Sequence, residues 1–278
     1  MDKIINCLEI RDKIKSELKT KINEIPTKLK LVVVQVGDDP ASNVYIKNKQ
    51  KLCEELGILF EHQKYLTITQ DKLLKEIDKL NKDQTVTGIL VQLPLPKEID
   101  EKKIIEKISP LKDVDGLTSE NMGKLFTGSK SLVPCTALGV MKILENLDLN
   151  LEGLNITIVG RSRLVGLPLI ALLLKKNSTV TICHSKTKDL KEKTLQADIL
   201  IVAIGKKEFI TQDYIKEDTT IIDVGINRFE NKLYGDCNFN ELLPKCKYIT
   251  KVPNGVGPLT VIMLINNIIE AYYLQNLK

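Results

Sequence analysis

Apolar and polar positions alternate along the chain in a way that predicts helices and strands in turn. Over residues 7–25, Leu8, Ile10, Ile14, Leu18, Ile22 and Ile25 recur at helical spacing, and Pro26 stops the run. Residues 29–37, LKLVVVQVG, form a continuous apolar run of strand length, as in a strand buried on both faces. DDPAS follows as a turn, and Ser42 is expected to cap a helix that runs to Gly57. A strand at 59–66, a helix at 70–81 and a strand at 86–92 continue the alternation. This order predicts a parallel sheet with helices on its faces. After LPLP come a short helix at 100–108, the turn KDVDGL, a polar stretch at 118–130, and a helix for which Thr136 is the expected cap.

The second half repeats the alternation without repeating the sequence. A β-branched strand at 156–159 meets Gly160, and the turn GRSRLVG leads to Gly166. Pro168 and the run LIALLLKKN read as a helix ended by Asn177, and a strand at 180–183 follows at once. Beyond it lie a helix at 190–196, strands at 199–204 and 220–224, the turn-bearing YITKVPNGVGPLT, and a hydrophobic C-terminal helix at 261–274. Strand, glycine turn, helix, strand is the first half of a dinucleotide-binding unit. The expected architecture is therefore α/β with two domains. One is an N-terminal parallel-sheet domain and the other a Rossmann-like domain.

Length agrees, since 278 residues exceed what one core usually serves. A net charge of +5 is mild, and the lysines lie beside Glu and Asp on helices, which describes solvated faces and not a nucleic-acid patch. No apolar run approaches bilayer length, and Met1 leads into charged residues, so neither a membrane span nor a signal peptide is expected and the cytoplasm is the expected compartment. The 6 cysteines form no CxxC pair and read as buried thiols of a reducing compartment. With only His62 and His184 as imidazoles, a His-centred triad and a multi-His metal site are disfavoured, and no metal is expected. Acid–base chemistry must then use Lys, Tyr or carboxylates.

The turn GRSRLVG departs from GxGxxG, because its glycines are at its first and seventh positions. By spacing alone it is either a dinucleotide site or an ordinary tight turn. After the next strand an NAD-preferring unit places an acid to hold the ribose hydroxyls. Here that place reads His184-Ser185-Lys186-Thr187-Lys188. Hydroxyls and cations there, with Arg161 in the turn, suit a 2′-phosphate and favour NADP; the plainer alternative is a solvated basic loop. Tyr45 and Lys49 share one face of a predicted helix, although YxxxK also arises by chance on Lys-rich helices. Gln92 ends a buried strand, where open α/β sheets bind ligands, or it merely satisfies backbone groups before the prolines. Asp113 and Asp115 in DVDG are either site carboxylates or an Asx turn before Gly116.

Taken jointly, VGDDPASNVYIKNKQK, GILVQLPLP, KDVDGLTSENMGKL, VPCTALGV, GRSRLVGLPL, DVGINR and VPNGVGPLT span nearly the whole chain. Their order and spacing closely resemble the bifunctional methylenetetrahydrofolate dehydrogenase/methenyltetrahydrofolate cyclohydrolase family. Departures from the family pattern are Ala137 for Pro, Asn254 for Gly and Leu259 for Met. The resemblance implies NADP-dependent oxidation of 5,10-methylenetetrahydrofolate, then hydrolysis to 10-formyltetrahydrofolate, in a folate-binding first domain of residues 1–136 plus 256–278, to which the C-terminal helix returns, and a Rossmann-like NADP-binding second domain over 137–255. It implies Lys49 as the catalytic lysine, Gln92 as its tuning partner, Asp115 as the carboxylate that grips the pterin, and Tyr45 as a stacking ring. Gly257 and Pro258 would line the folate site. Gly160, Arg161, Ser162, Gly166, Ser185 and Ile226 would meet the cofactor. Tetrahydrofolate derivatives are the implied partners, with a homodimer and without nucleic acid or membrane. The alternatives are a monofunctional dehydrogenase and a non-catalytic nucleotide sensor.

Overall fold

The alternation becomes helices α1 (Cys7–Glu24), α2 (Pro40–Glu55), α3 (Gln70–Lys82), α4 (Glu101–Lys107), α5 (Ser119–Thr127) and α6 (Cys135–Asn146), with strands β1 (Lys30–Val36), β2 (Leu59–Tyr65) and β3 (Gly88–Val91) among them. There follow β4 (Asn155–Val159), α7 (Gly166–Leu174), β5 (Thr179–Cys183), α8 (Leu190–Leu195), β6 (Ile199–Val202), β7 (Thr220–Asp223), β8 (Asn227–Phe229), β9 (Lys232–Tyr234), α9 (Phe239–Leu242), β10 (Tyr248–Ile249) and α10 (Val256–Asn276). The computed structural model describes residues 3–230 and 232–276, so the outermost ends of the expected first domain, 1–2 and 277–278, lie outside the described residues.

Two units result, one of residues 14–135 with 261–278, the other of residues 1–13 with 136–260. The expected boundaries differ at both ends of the chain. Ile5 N donates to Ile249 O at 2.9 Å and Ile249 N to Lys3 O at 2.9 Å, so the first residues extend the edge of the second sheet instead of joining the first. Residues 256–260 also fall in the unit of the second sheet.

In the first unit β1 lies between β2 and β3, all parallel. Val32, Val34 and Val36 face Leu73, Ile77 and Leu80 of α3 and Ile104 and Ile105 of α4 in one buried cluster. Leu31 and Val33 are buried as well, which explains the unbroken apolar run of β1. Each such side chain contributes roughly 1.5–3 kcal/mol on burial. The chain leaves β1 towards β2 on one side and reaches β3 on the other, so strand order reverses at β1. The second unit has a parallel sheet in the order β10-β7-β6-β4-β5, and the same reversal occurs at β4. Ligands of such sheets bind beyond the strand ends at these reversals.

Local chemistry corrected several expectations. The cap of α2 is Asp39, whose carboxylate accepts from Ser42 N at 2.7 Å, with Pro40 opening the helix where its missing N–H costs nothing. Thr136 lies inside α6, which already begins at Cys135. The polar stretch 118–130 contains α5, capped by Thr118 and ended by Gly128 at φ 80°. The C-terminal helix starts at Val256, with Pro258 tolerated in its first turn. At 21 residues and mean hydropathy 1.2, α10 is long and apolar enough by length and composition to cross a membrane, contrary to the expectation from sequence. Ile262, Met263, Leu264, Ile265, Ile268 and Ile269 of this helix are buried within the protein.

Candidate active site

Two residues at the strand reversal of the first unit meet directly. Lys49, on α2 after β1, donates from Nζ to Gln92 Oε1, just past β3, at 3.0 Å. Gln92 is fixed in turn, because its Nε2 donates to Leu93 O at 2.8 Å. That bond orients the amide so that its carbonyl faces the lysine. Burial lowers the proton affinity of the Lys49 amine below the ordinary 10.5, with the Asp115 carboxylate opposing that shift. Burial raises the Asp115 carboxyl above its ordinary 3.8, with Lys49 opposing and Asp113 adding to it. Lys49, Gln92 and Asp115 therefore form one electrostatically linked group.

Tyr45 lies four residues before Lys49 on α2 and is 43 % exposed, leaving its ring available to a planar ligand. The base of α2 is braced: Asn43 Nδ2 donates to Asp38 Oδ1 at 2.8 Å, Gln35 Nε2 donates to Asn43 Oδ1 at 2.9 Å, and His62 Nε2 lies 2.9 Å from Gln35 Oε1. His62, expected on a strand, is on β2.

Asp113 takes the other part of DVDG. It is buried, and its Oδ2 accepts from Thr118 N at 2.8 Å and Asn121 Nδ2 at 3.0 Å, so it builds the turn that presents Asp115. Cys135 lies against Asp115, its thiol raised well above 9.0 by burial first and by that carboxylate second, which keeps it protonated. Sequence reasoning did not single out Cys135 or Asn267 of α10; the one signal for Asn267 is a polar pair, Asn266-Asn267, interrupting an apolar helix.

At the reversal in the second unit the glycines of GRSRLVG are required. Gly160 has φ +130°, and a Cβ there would come within 2.2 Å of Ala203 O; one on Gly166 would come within 2.0 Å of Gly160 O. The turn packs backbone on backbone at the start of α7, the geometry in which helix-end amides meet a pyrophosphate. Ser162 Oγ accepts from Val165 N at 3.2 Å, and Arg161 and Ser162 are exposed. Gly160 N donates to Cys183 O at 2.9 Å, which sets the Gly160 turn beside the end of β5. There His184 N donates to Thr187 Oγ1 at 2.8 Å, a tight turn that leaves Ser185 and Lys186 exposed. These residues fit a dinucleotide with a 2′-phosphate: a small-residue cradle, then a hydroxyl and cations.

Ile226 is 44 % exposed, and a Cβ on Gly257 would lie 3.5 Å from its Cδ1. Pro258 follows in the same helix turn. The segment of Ile226 is shaped by two buried acids that the sequence reading left out. Asp236 accepts from Ile204 N at 2.6 Å, Gly205 N at 3.0 Å, Lys206 N at 2.7 Å and Asn227 Nδ2 at 2.9 Å. Asp223 accepts from Gly225 N at 3.0 Å, Asp236 N at 2.9 Å and Cys237 N at 2.9 Å. Asn254, where glycine is usual in the resembling family, has φ +74°, a conformation Asn tolerates better than other side chains. Among the described residues no group of three His, Cys, Asp or Glu is placed to hold a metal ion.

Comparison with known proteins agrees over both units. The family model described as tetrahydrofolate dehydrogenase/cyclohydrolase, catalytic domain, matches residues 5–115, and the one for its NAD(P)-binding domain matches 134–276. The bifunctional protein FolD of Bacillus cytotoxicus is 48 % identical over 273 residues, covering 96 % of both chains. The crystal structure of the bifunctional dehydrogenase/cyclohydrolase FolD of Campylobacter jejuni superposes with TM-score 0.93 at 44 % identity, covering 98 % of this chain and 99 % of that one. The FolD of Trypanosoma brucei, solved with NADP and an inhibitor, gives TM-score 0.89 at 30 % identity over 99 % of this chain and 97 % of that one. With both units matched and relatives aligned almost end to end, the chain belongs to the tetrahydrofolate dehydrogenase/cyclohydrolase family.

Proposed function

We infer that this chain oxidises 5,10-methylenetetrahydrofolate with NADP and then hydrolyses the methenyl product to 10-formyltetrahydrofolate, with Lys49 moving the proton of the second step. NADP, when bound, supplies the hydride acceptor. Gly160 and Gly166 give the pyrophosphate close access to backbone and the start of α7, while Arg161 and Ser185 meet the 2′-phosphate. The oxidation needs alignment more than a base, since the neighbouring folate nitrogens stabilise the cation that hydride loss leaves. Tyr45 stacks on the folate rings, and Asp115 accepts from the pterin N–H donors. Ile226 borders the nicotinamide end of the cofactor.

Hydrolysis is the demanding step. Water forms a bond to the methenyl carbon and yields a proton, and the ring opens as the carbon–N5 bond breaks and N5 is protonated. A lysine at its solution value of about 10.4 is a poor base near neutrality. The observation that carries this reading is the Lys49 amine, 3.0 Å from the carbonyl of neutral Gln92 and depressed by burial. Gln92 orients the amine without the increase in proton affinity that a carboxylate would cause. Lys49→Met is expected to abolish hydrolysis of methenyltetrahydrofolate while leaving the Kd for NADPH unchanged. Separate assays of the two steps test this, and a variant with undiminished hydrolysis would remove Lys49 from the mechanism. A wild-type chain that oxidises but never hydrolyses would be a monofunctional dehydrogenase instead. By the same resemblance the enzyme is a homodimer of the cytoplasm, which sedimentation and fractionation test.

A further inference from the structure

Asn267 is a polar residue 2 % exposed in the apolar helix α10. Its Nδ2 donates to Val114 O at 2.8 Å and to Val133 O at 2.8 Å, and lies 3.5 Å from Cys135 Sγ. The Cys135 thiol donates to the same Val114 carbonyl at 3.4 Å. That carbonyl belongs to the peptide whose nitrogen is Asp115's own. The turn around it has little room to relax by other routes. Gly116 has φ +67°, and a Cβ there would come 2.6 Å from the Val133 carbonyl carbon. On the opposite side Val114 Cγ1 sits where a Cβ on Gly88 would be only 2.5 Å away. One side-chain amide thus ties the 113–116 turn to the 132–135 segment, from a position 153 residues beyond Val114.

We propose that Asn267 is a positioning residue for folate binding: its amide holds the Val114 and Val133 carbonyls, and through them fixes where the Asp115 carboxylate meets the pterin. The role rests on the reading of Asp115 as the pterin acceptor. The residue type follows from the donors required. A carboxamide nitrogen presents two N–H groups in one plane, matching two carbonyls, and it brings no charge into a site already holding Asp115 and Lys49. An aspartate would set an anion against two carbonyl oxygens. A leucine would fill the space and leave both carbonyls without this donor.

The test uses the full-length enzyme and three variants: Asn267→Leu, Asp115→Asn and their combination. Asn267→Leu is expected to raise the KM for methylenetetrahydrofolate about tenfold, the scale of one buried hydrogen bond lost from a binding site. The dehydrogenase kcat and the Kd for NADPH, read by fluorescence, should stay within about twofold, since the loss is confined to folate binding. The double variant should bind folate no worse than Asp115→Asn alone, because Asn267 acts through that carboxylate. Multiplicative losses in the double variant, an unchanged KM in Asn267→Leu, or a parallel loss of NADPH binding would each overturn the proposal. Asn267→Ser, which keeps one donor, serves if the leucine variant does not fold, with a smaller KM rise and the same lack of additivity expected. If Asp115→Asn alone leaves KM unchanged, the reading of Asp115 fails. If it raises KM while the Asn267 variants do not, only the positioning role fails.

Discussion

Gln92→Glu tests why a neutral amide stands beside the lysine. The amine and the amide oxygen are 3.0 Å apart. A full negative charge at that distance, at an effective dielectric of about 20, attracts the ammonium by about 5 kcal/mol, or about four pH units, which is an upper bound. The lower bound comes from exchanging a neutral hydrogen bond for a charge-assisted one, about 1–2 kcal/mol or roughly one unit. Either way the lysine binds its proton more tightly. Since only the free amine can take the proton from attacking water, the ascending limb of hydrolysis against pH should move alkaline by about one unit or more, with activity at pH 7 down at least about tenfold. The assay is decay of the methenyl absorbance across pH for both proteins, with NADP reduction followed separately. The oxidation needs no base and should lose much less. An unshifted limb, or equal loss of both steps, would refute the reasoning.

Gly160→Ala puts a Cβ at φ +130° and 2.2 Å from Ala203 O, so the turn must shift; the Kd for NADPH should rise about 5- to 150-fold, as strain of about 1–3 kcal/mol implies, and titration by fluorescence checks it. Asp223 predicts a pH dependence of stability: burial pushes its carboxyl from 3.8 up to about 6, so the folded state holds the proton more tightly than the unfolded one. Its contribution is complete below pH 4 and lost as pH rises to about 6, at no more than about 1.4 kcal/mol per unit. Denaturant titrations between those limits should show wild type losing stability relative to Asp223→Asn as pH rises.

Much of this fold was legible because its central strands are buried on both faces and read as unbroken apolar runs, as 29–37 and 156–159 do. Helix ends were less so. Ser42 and Thr136 are good caps by type, yet Asp39 lies one residue ahead of a proline and takes the first role, while α6 starts before the threonine. The hairpin β8–β9 carries no two-residue turn signal or apolar alternation and went unread. In the site, Lys49 and Gln92 were legible as residues at the ends of a helix turn and a strand. Their hydrogen bond depends on β1 and β3 being neighbours, which local pattern does not encode. DVDG left two acids equivalent, and their partners separate them: Asp113 is consumed by Thr118 N and Asn121, and Asp115 faces Lys49. Asn267 and Asp236 escaped because each satisfies backbone groups far along the chain, and an isolated polar residue gives no hint of distant carbonyls or amides.

The central claim, a lysine amine depressed by its surroundings beside a neutral partner, is most directly tested by titrating side-chain carbons in protein carrying 13C-labelled lysine. The resonance missing from Lys49→Met identifies the residue. It should titrate below the ordinary 10.5, whereas a midpoint at or above that value would contradict the account.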